Sequence, residues 1–353
     1  QLAQAAWLLV ARGARLVSYW HWHTLHSGAE VHWGGILGHD LEPGRIHAEV
    51  SGIGRQFAAA AEWLTDAAPD ADLGLVSAHD SEWMMAFEPP LAAGSEGDRG
   101  SYARIVGAFG RAAIDAGLQV GYVNERQLPE ADELVQRYPV LVVAGLVAAS
   151  DPTLETLAEY ARLGGRLVLG PRTGYGDDEG RMRTALAPAI VGAAAGVGYR
   201  EFAALAAPVD VVRDGEIVGS AHGWVDGLEP DGAEVVLGYR HELFGRWAAV
   251  TRRDVGAGSI TVVGSLLDRA TLAEVIGDVA GSPDGILAAR PSSVTAHSLT
   301  GERGRVWVIH NWSPEPRAVV LGRAAASVLD DAVFAAGAEV TLAPWDVRVW
   351  REA

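Results

Sequence analysis

Residues Val140–Ala144 read Val-Leu-Val-Val-Ala, a run with no polar residue in it. Neighbouring side chains of a strand point to opposite faces, so a run without alternation needs cover on both sides. It is one of a series. Leu73–Ala78, Val120–Val123, Arg166–Leu169 and Ser259–Val263 are further short strand-like runs. Helix-spaced apolar residues separate them. Tyr102, Ile105, Val106, Phe109 and Ala113 mark one helix. Leu154, Leu157, Ala158 and Ala161 mark another, ended by Gly164-Gly165, and Ala270–Val279 is a third helical stretch. Strand and helix alternating in this way imply a doubly wound parallel sheet. Residues 171–258 are less regular and Gly-rich, with strand-like runs at Val209–Arg213 and Glu234–Leu237.

The pattern differs on either side. At the start, Leu2, Ala5, Ala6, Leu9 and Val10 give an amphipathic helix over Gln1–Arg12, with Gly13 as its stop. No capping residue precedes it, so the segment reads as a helix already in progress, with sequence expected upstream. Arg15–Trp22 is β-branched and aromatic and reads as a strand. A long loop, Thr24–Gly44, follows, then a helix over Arg45–Leu64 whose Ile46, Val50, Ile53, Phe57, Ala60 and Leu64 share a face. Helix, strand, loop and helix make a piece of an α/β architecture, since one strand cannot cover two helices. Residues 65–72 read as a linker. From Gly285 on, short strands dominate: Val294–Leu299, Arg305–His310, Arg317–Leu321, Glu339–Leu342 and Val347–Trp350. The expectation is three domains, at 1–64, 70–282 and 285–353, with residues 1–64 poorly ordered because their apolar faces lack partners.

Composition narrows the function. The chain of 353 residues carries a formal charge of −17, which disfavours nucleic acid or an anionic membrane as partner. It has no cysteine, which removes disulfides, thiolate metal sites and cysteine nucleophiles together. No apolar run approaches the ~20 residues of a membrane span, and no signal peptide is visible, so a cytoplasmic location is expected.

The densest chemistry lies in Tyr19–Asp40, which holds five of the eleven histidines together with Trp20, Trp22, Trp33, Glu30 and Asp40. Three readings fit it. His21 and His23, two apart on a strand, share a face and with His26, His32 and His39 suggest a metal site, although no His-Glu-x-x-His spacing is present. Alternatively, this is an aromatic strand packed under a loop. The third reading is a sugar site, in which Trp faces stack on a pyranose and a carboxylate or imidazole meets its hydroxyls.

The run Ser-Tyr-Trp-His-Trp-His-Thr, a Gly-Ala-Glu, a Trp, Gly-Gly-Ile-Leu-Gly-His-Asp, then Pro-Gly-Arg and an amphipathic helix resembles the eighth strand, loop and last helix of the (β/α)8 barrel of family 42 β-galactosidases. Residues of about 70 to 282 resemble that family's trimerisation domain, with its flavodoxin- or amidotransferase-like fold. Those from about 285 resemble its C-terminal β domain, including Val308–Trp312. The resemblance implies an α/β multidomain chain that hydrolyses terminal β-D-galactosides without metal or cofactor, as a homotrimer. It implies that Trp20 borders the galactose and that Glu30 bonds its hydroxyls. Trp33, where many members carry His, would stack instead, and His23 would line the same pocket with His21 and His26. It implies a retaining mechanism by two glutamates that follow the fourth and seventh strands, both upstream of Gln1. The chain alone is then expected to be inactive. Asn124-Glu125 after Val120–Val123 imitates the acid/base motif but falls in the second domain, where it reads as a surface strand end. A non-catalytic sugar-binding or oligomerisation protein is the alternative. An unrelated flavodoxin-like domain would bind flavin or nucleotide, yet no Gly-x-Gly-x-x-Gly lies between strand and helix.

Overall fold

The computed structural model describes residues 1–353, the side chain of residue 93 apart. The chain forms two compact units: residues 1–70 with 284–353, and residues 71–283. The N-terminal segment is therefore not a separate body, which corrects the three-way division. The reason lies in what its helices bury. Helix α1 (Leu2–Ala11) and helix α2 (Arg45–Leu64) turn Trp7, Ala11 and Ala60 onto Leu299, Val306, Val308 and Val349. Trp7 is fully buried, edge-on to Phe57 at 4.8 Å, and its indole N–H donates to Gln56 Oε1 at 2.9 Å. Residues 1–64, expected to be poorly ordered, thus have a packed face supplied by strands some 300 residues away.

The middle unit runs β1 (Leu73–Ser77), α3 (His79–Phe87), α4 (Ser101–Asp115), β2 (Val120–Asn124), α5 (Ala131–Arg137), β3 (Val140–Val143), α6 (Asp151–Arg162), β4 (Arg166–Leu169) and α7 (Ile190–Ala195). It continues with β5 (Val209–Arg213), β6 (Glu216–Asp226), β7 (Glu234–Arg240), β8 (Ala248–Val255), β9 (Gly258–Val263), β10 (Ser265–Leu267) and α8 (Arg269–Ala280). Strands β2, β1, β3, β4 and β9 lie side by side and parallel. Alternate residues feed opposite cores: Val140 and Val142 face Phe109 and Ile276 with α4 and α8, while Leu141 and Val143 face Leu134 and Leu157 with α5 and α6. This is the two-sided cover that the unbroken apolar run demands. The sheet is not wholly parallel, however. Beyond β9 it continues antiparallel through β8, β7, β5, β6 and β10, and Phe202–Ala204 adds to β6. The irregular stretch of sequence supplies this half. Among the described residues, no helix is long and apolar enough to cross a membrane.

The other unit is completed by β11 (Val294–Gly301), β12 (Gly304–Asn311), β13 (Arg317–Leu321), β14 (Glu339–Leu342) and β15 (Val347–Glu352). Strands β11, β12 and β15 form the centre of an antiparallel sheet that Ala68–Pro69 joins at one edge. Strand β12 is apolar on both faces. Val306 and Val308 meet the helices, whereas Trp307 and Ile309 meet Val319, Leu321 and Leu342 of the smaller sheet. Gln4 fixes α1 to this strand, its amide donating to Asn311 O at 2.8 Å.

Candidate functional site

Arg15–Trp22, read as a strand, is extended but pairs with no strand, and the isolated bridge His23–Leu37 is its nearest approach to one. A strand is stabilised by neighbours, and this stretch has none beside it. Other contacts hold it. The Arg15 guanidinium donates to the carbonyls of Leu64 and Thr65, both at 2.8 Å, and of Ala67 at 2.9 Å. These are carbonyls at the end of α2, where a cation satisfies both unpaired acceptors and the helix dipole. Further on, Thr24 is the hub. Its N–H donates to Leu37 O at 2.9 Å, and its hydroxyl donates to the same oxygen while accepting from Gly35 N–H at 3.0 Å. Ile36 N–H donates to His21 O at 3.0 Å and Leu37 N–H to Trp22 O at 2.9 Å. Residues 21–24 and 35–37 therefore lie in contact. A Cβ on Gly35 would fall 2.4 Å from the carbonyl carbon of His23, so only glycine fits. Gly35→Ala is expected to cost about 2 kcal/mol. A thermal melt unchanged by the substitution would refute this close approach.

Against this loop, the face of α2 and the start of α1 form a cleft of about 340 Å³ lined by Tyr19, Trp20, Gly34, Ile36, Arg45 and Glu49, among others. Trp20 is 77% exposed at its rim, with its ring stacked on His21 at 5.6 Å. Glu49 is paired with Arg45 at 2.9 Å. The Tyr19 hydroxyl is buried and has no hydrogen-bond partner among the described residues. Burial raises its pKa, with Glu49 adding to the effect, so it stays a neutral donor. Of the expected site residues, Trp20 lines the cleft, and Glu30, Trp33 and His23 are not among its lining residues. Trp33 is exposed and follows a turn in which its N–H donates to Glu30 O at 3.0 Å, while its own carbonyl meets His21 Nε2 at 3.3 Å. His23 stands beside His26, with ring centres 5.7 Å apart, and its Nδ1 meets Thr24 O. His26 and His39 use Nε2 on the carbonyls of His39 and Leu25, which makes them loop staples. Among the described residues, no group of three His, Asp or Glu side chains is placed to hold a metal.

Tyr19, Arg45 and Glu49 were missed in the sequence. The Arg45–Glu49 spacing of four on a helix was the available sign. Glu125, read as a surface strand end, is different in the structure: its side chain is only 9% exposed. One oxygen lies 3.5 Å from Arg126, and the other is buried without a partner among the described residues. The Asn124 side chain accepts from Arg126 N–H at 3.0 Å and turns the chain inward there.

Comparison with known proteins divides the chain in the same order. Residues 71–285 match the model of a β-galactosidase trimerisation domain, residues 293–352 a β-galactosidase C-terminal domain, and residues 1–60 a model described as β-galactosidase. The β-galactosidase BgaA of Clostridium cellulovorans is 23% identical over 343 residues, covering 96% of this chain and 50% of the relative. The β-galactosidase Bga of Halorubrum lacusprofundi is 27% identical over 270 residues, covering 72% and 36%. The chain thus spans half the length, or less, of these curated relatives. Gan42B, a GH42 β-galactosidase from G. stearothermophilus, superposes with a TM-score of 0.87 at 18% identity, over 99% of this chain and 50% of that one. The β-galactosidase of Bacillus circulans sp. alkalophilus gives 0.88 at 16% identity, over 99% and 51%.

Proposed function

The chain belongs to the family 42 glycoside hydrolases, the β-galactosidases, and from that premise we propose that it serves a retaining hydrolase of terminal β-D-galactosides without containing the two reacting glutamates. Retaining hydrolysis needs two carboxyl groups ~5–5.5 Å apart, one to protonate the leaving oxygen and one to attack the anomeric carbon. In this reading both belong to the barrel segments that the relatives carry ahead of the matched region. What this chain contributes is one wall of the galactose subsite and the means of assembly.

The observation that carries the reading is Trp20, a mostly exposed indole on the rim of a cleft, held by a loop that glycine alone can close. An indole face stacks on the C–H face of a pyranose and turns the sugar's ring plane, while hydroxyls are left for polar groups nearby. Tyr19, neutral and without a partner, offers a donor beside it. Glu30, Trp33 and His23 are proposed to complete the subsite from the outer side of the loop once the rest of the barrel is in place. The middle unit brings the chains together as a homotrimer. No metal or redox group is required for this chemistry.

Hydrolysis of a chromogenic β-D-galactoside tests the reading. The chain alone is expected to give no turnover above buffer. A chimera joining the first half of the Clostridium cellulovorans relative ahead of Gln1 is expected to hydrolyse it, by more than 10⁶-fold over the uncatalysed rate. Turnover by the chain alone would mean that one of its own carboxylates, Glu30 or Glu125, reacts, and the assignment of roles would fall.

A further inference from the structure

Large apolar side chains of the middle unit gather, exposed, on one edge of its sheet. Trp83 is 67% exposed and Phe87 83%, one helical turn apart on α3, and Met182 and Phe202 are each 50% exposed. All four are carried by elements that leave, or adjoin, the C-terminal ends of the parallel strands. Helix α3 begins just past β1, and the Ser81 hydroxyl donates to Ala148 O, in the loop after β3, at 3.2 Å. That loop is sewn to the one after β4, with Gly174 N–H donating to Leu146 O at 2.9 Å and Gly176 N–H to Val147 O at 2.7 Å. Gly176 in turn bridges to Met182. Phe202 stacks on Trp224 at 5.2 Å, two residues before Asp226, whose N–H donates to Gly264 O just past β9.

A cation is clamped among them. Arg172 has a φ of 64°, a left-handed conformation that costs energy for a residue with a side chain. Its N–H is held by Oδ2 of the buried Asp226 at 2.8 Å. Its guanidinium lies 3.8 Å from the Tyr175 ring centre, 5.0 Å from that of Phe202 and 4.9 Å from that of Trp224. Aromatic residues, Met and Arg are the types concentrated at the cores of protein interfaces, and exposed apolar patches of this kind mark contact surfaces.

We infer that this edge is the surface through which the chain self-associates, its occupant being a second copy of the same chain. The inference rests on the oligomer reading above and adds the face. Two observations select the occupant. The elements of the edge all fall within residues 71–285, which match a trimerisation-domain model. The chain carries 45 acidic against 28 basic residues, so an edge centred on a fixed Arg is complementary to the acidic excess of its own copy.

Sedimentation equilibrium of the chain and of Trp83→Glu, Phe87→Glu and Phe202→Glu tests it. These side chains are at least half exposed, so the variants are expected to melt as the parent does. The parent is expected to associate, and each variant to weaken association at least tenfold. Val333→Glu, at a 71% exposed site in the other unit, is expected to change nothing. A parent that sediments as a monomer overturns the oligomer reading together with this inference. A parent that associates while all three edge variants associate equally well overturns the inference alone. So does a Val333→Glu variant that loses association to the same degree.

Discussion

Trp7→Ala is expected to remove about 4 kcal/mol from the unit formed by residues 1–70 and 284–353, the usual cost of truncating a buried indole. Three losses combine there. The ring leaves a void between Phe57, Ala60 and the β12 residues Val306 and Val308. The hydrogen bond to Gln56 is lost, and an amide oxygen is left without its donor. The two helices also lose the side chain that joins them to each other. Since whole domains are stable by only ~5–15 kcal/mol, the unit should unfold well ahead of the middle one. Urea titration followed by circular dichroism is expected to show one transition split into two, with the earlier one shifted to lower urea. A midpoint shift worth less than about 1 kcal/mol would mean that α1 is held chiefly by its polar contacts.

Acid should act on the same junction. His297 and His310 are buried 6.4 Å apart, and His310 lies flat against Trp312 at 4.8 Å with Nε2 toward Gln4 O. Burial pushes both imidazoles down to about 4, helped at His297 by the nearby Arg12 and by its partner histidine. Each Nδ1 is buried without a partner among the described residues, so neither ring is stabilised in its charged form. In the unfolded chain both titrate near 6.5, so between there and about 4 the unfolded state binds more protons. The stabilisation from these neutral rings is complete above about pH 6.5 and is lost as the pH falls through this window, at about 3 kcal/mol per histidine at most. Below about 4 the loss levels off. Urea midpoints measured from pH 7.5 to 4 are expected to fall steeply in the parent and more shallowly in His297→Gln/His310→Gln. Equal slopes would show that other groups carry the acid sensitivity.

How much of this could be read from the residues depends on the range of the interactions. The α2 helix is visible from its own spacing, because a helix satisfies its backbone locally and shows its buried face every three to four residues. Strands β3 and β4 are equally plain. The Arg15–Trp22 segment misled because β-branched and aromatic residues report only fitness for a sheet, and a sheet needs a neighbour that composition does not name. The cover for α1 was indicated in one place, the unbroken Val306–Ile309 run, which demands packing on both faces of a small β domain. That two helices from the far end of the chain meet the demand is a long-range fact. The antiparallel half of the large sheet was hidden for a related reason: its strands are joined by glycine-rich turns and share no single period. At the cleft, Trp20 was legible as an aromatic in a His-rich loop. Tyr19 and Glu49 were not, since what distinguishes them is burial and a shared cavity.

The division of the chain also orders events in time. Residues 1–70 leave a ribosome first, yet the side chains that shelter Trp7 and Ala11 belong to β11, β12 and β15, translated last. Throughout synthesis of the intervening unit the first helices have an apolar face and nothing to lay it on. Release ends the wait at one residue: Arg305 reaches Asp70 at 3.2 Å and Asp284 at 3.0 Å, the points where the chain departs from this unit and comes back to it. The middle unit is in effect a parenthesis that must be closed before the sentence around it can fold, and a nascent-chain chaperone would find its substrate in the opening words.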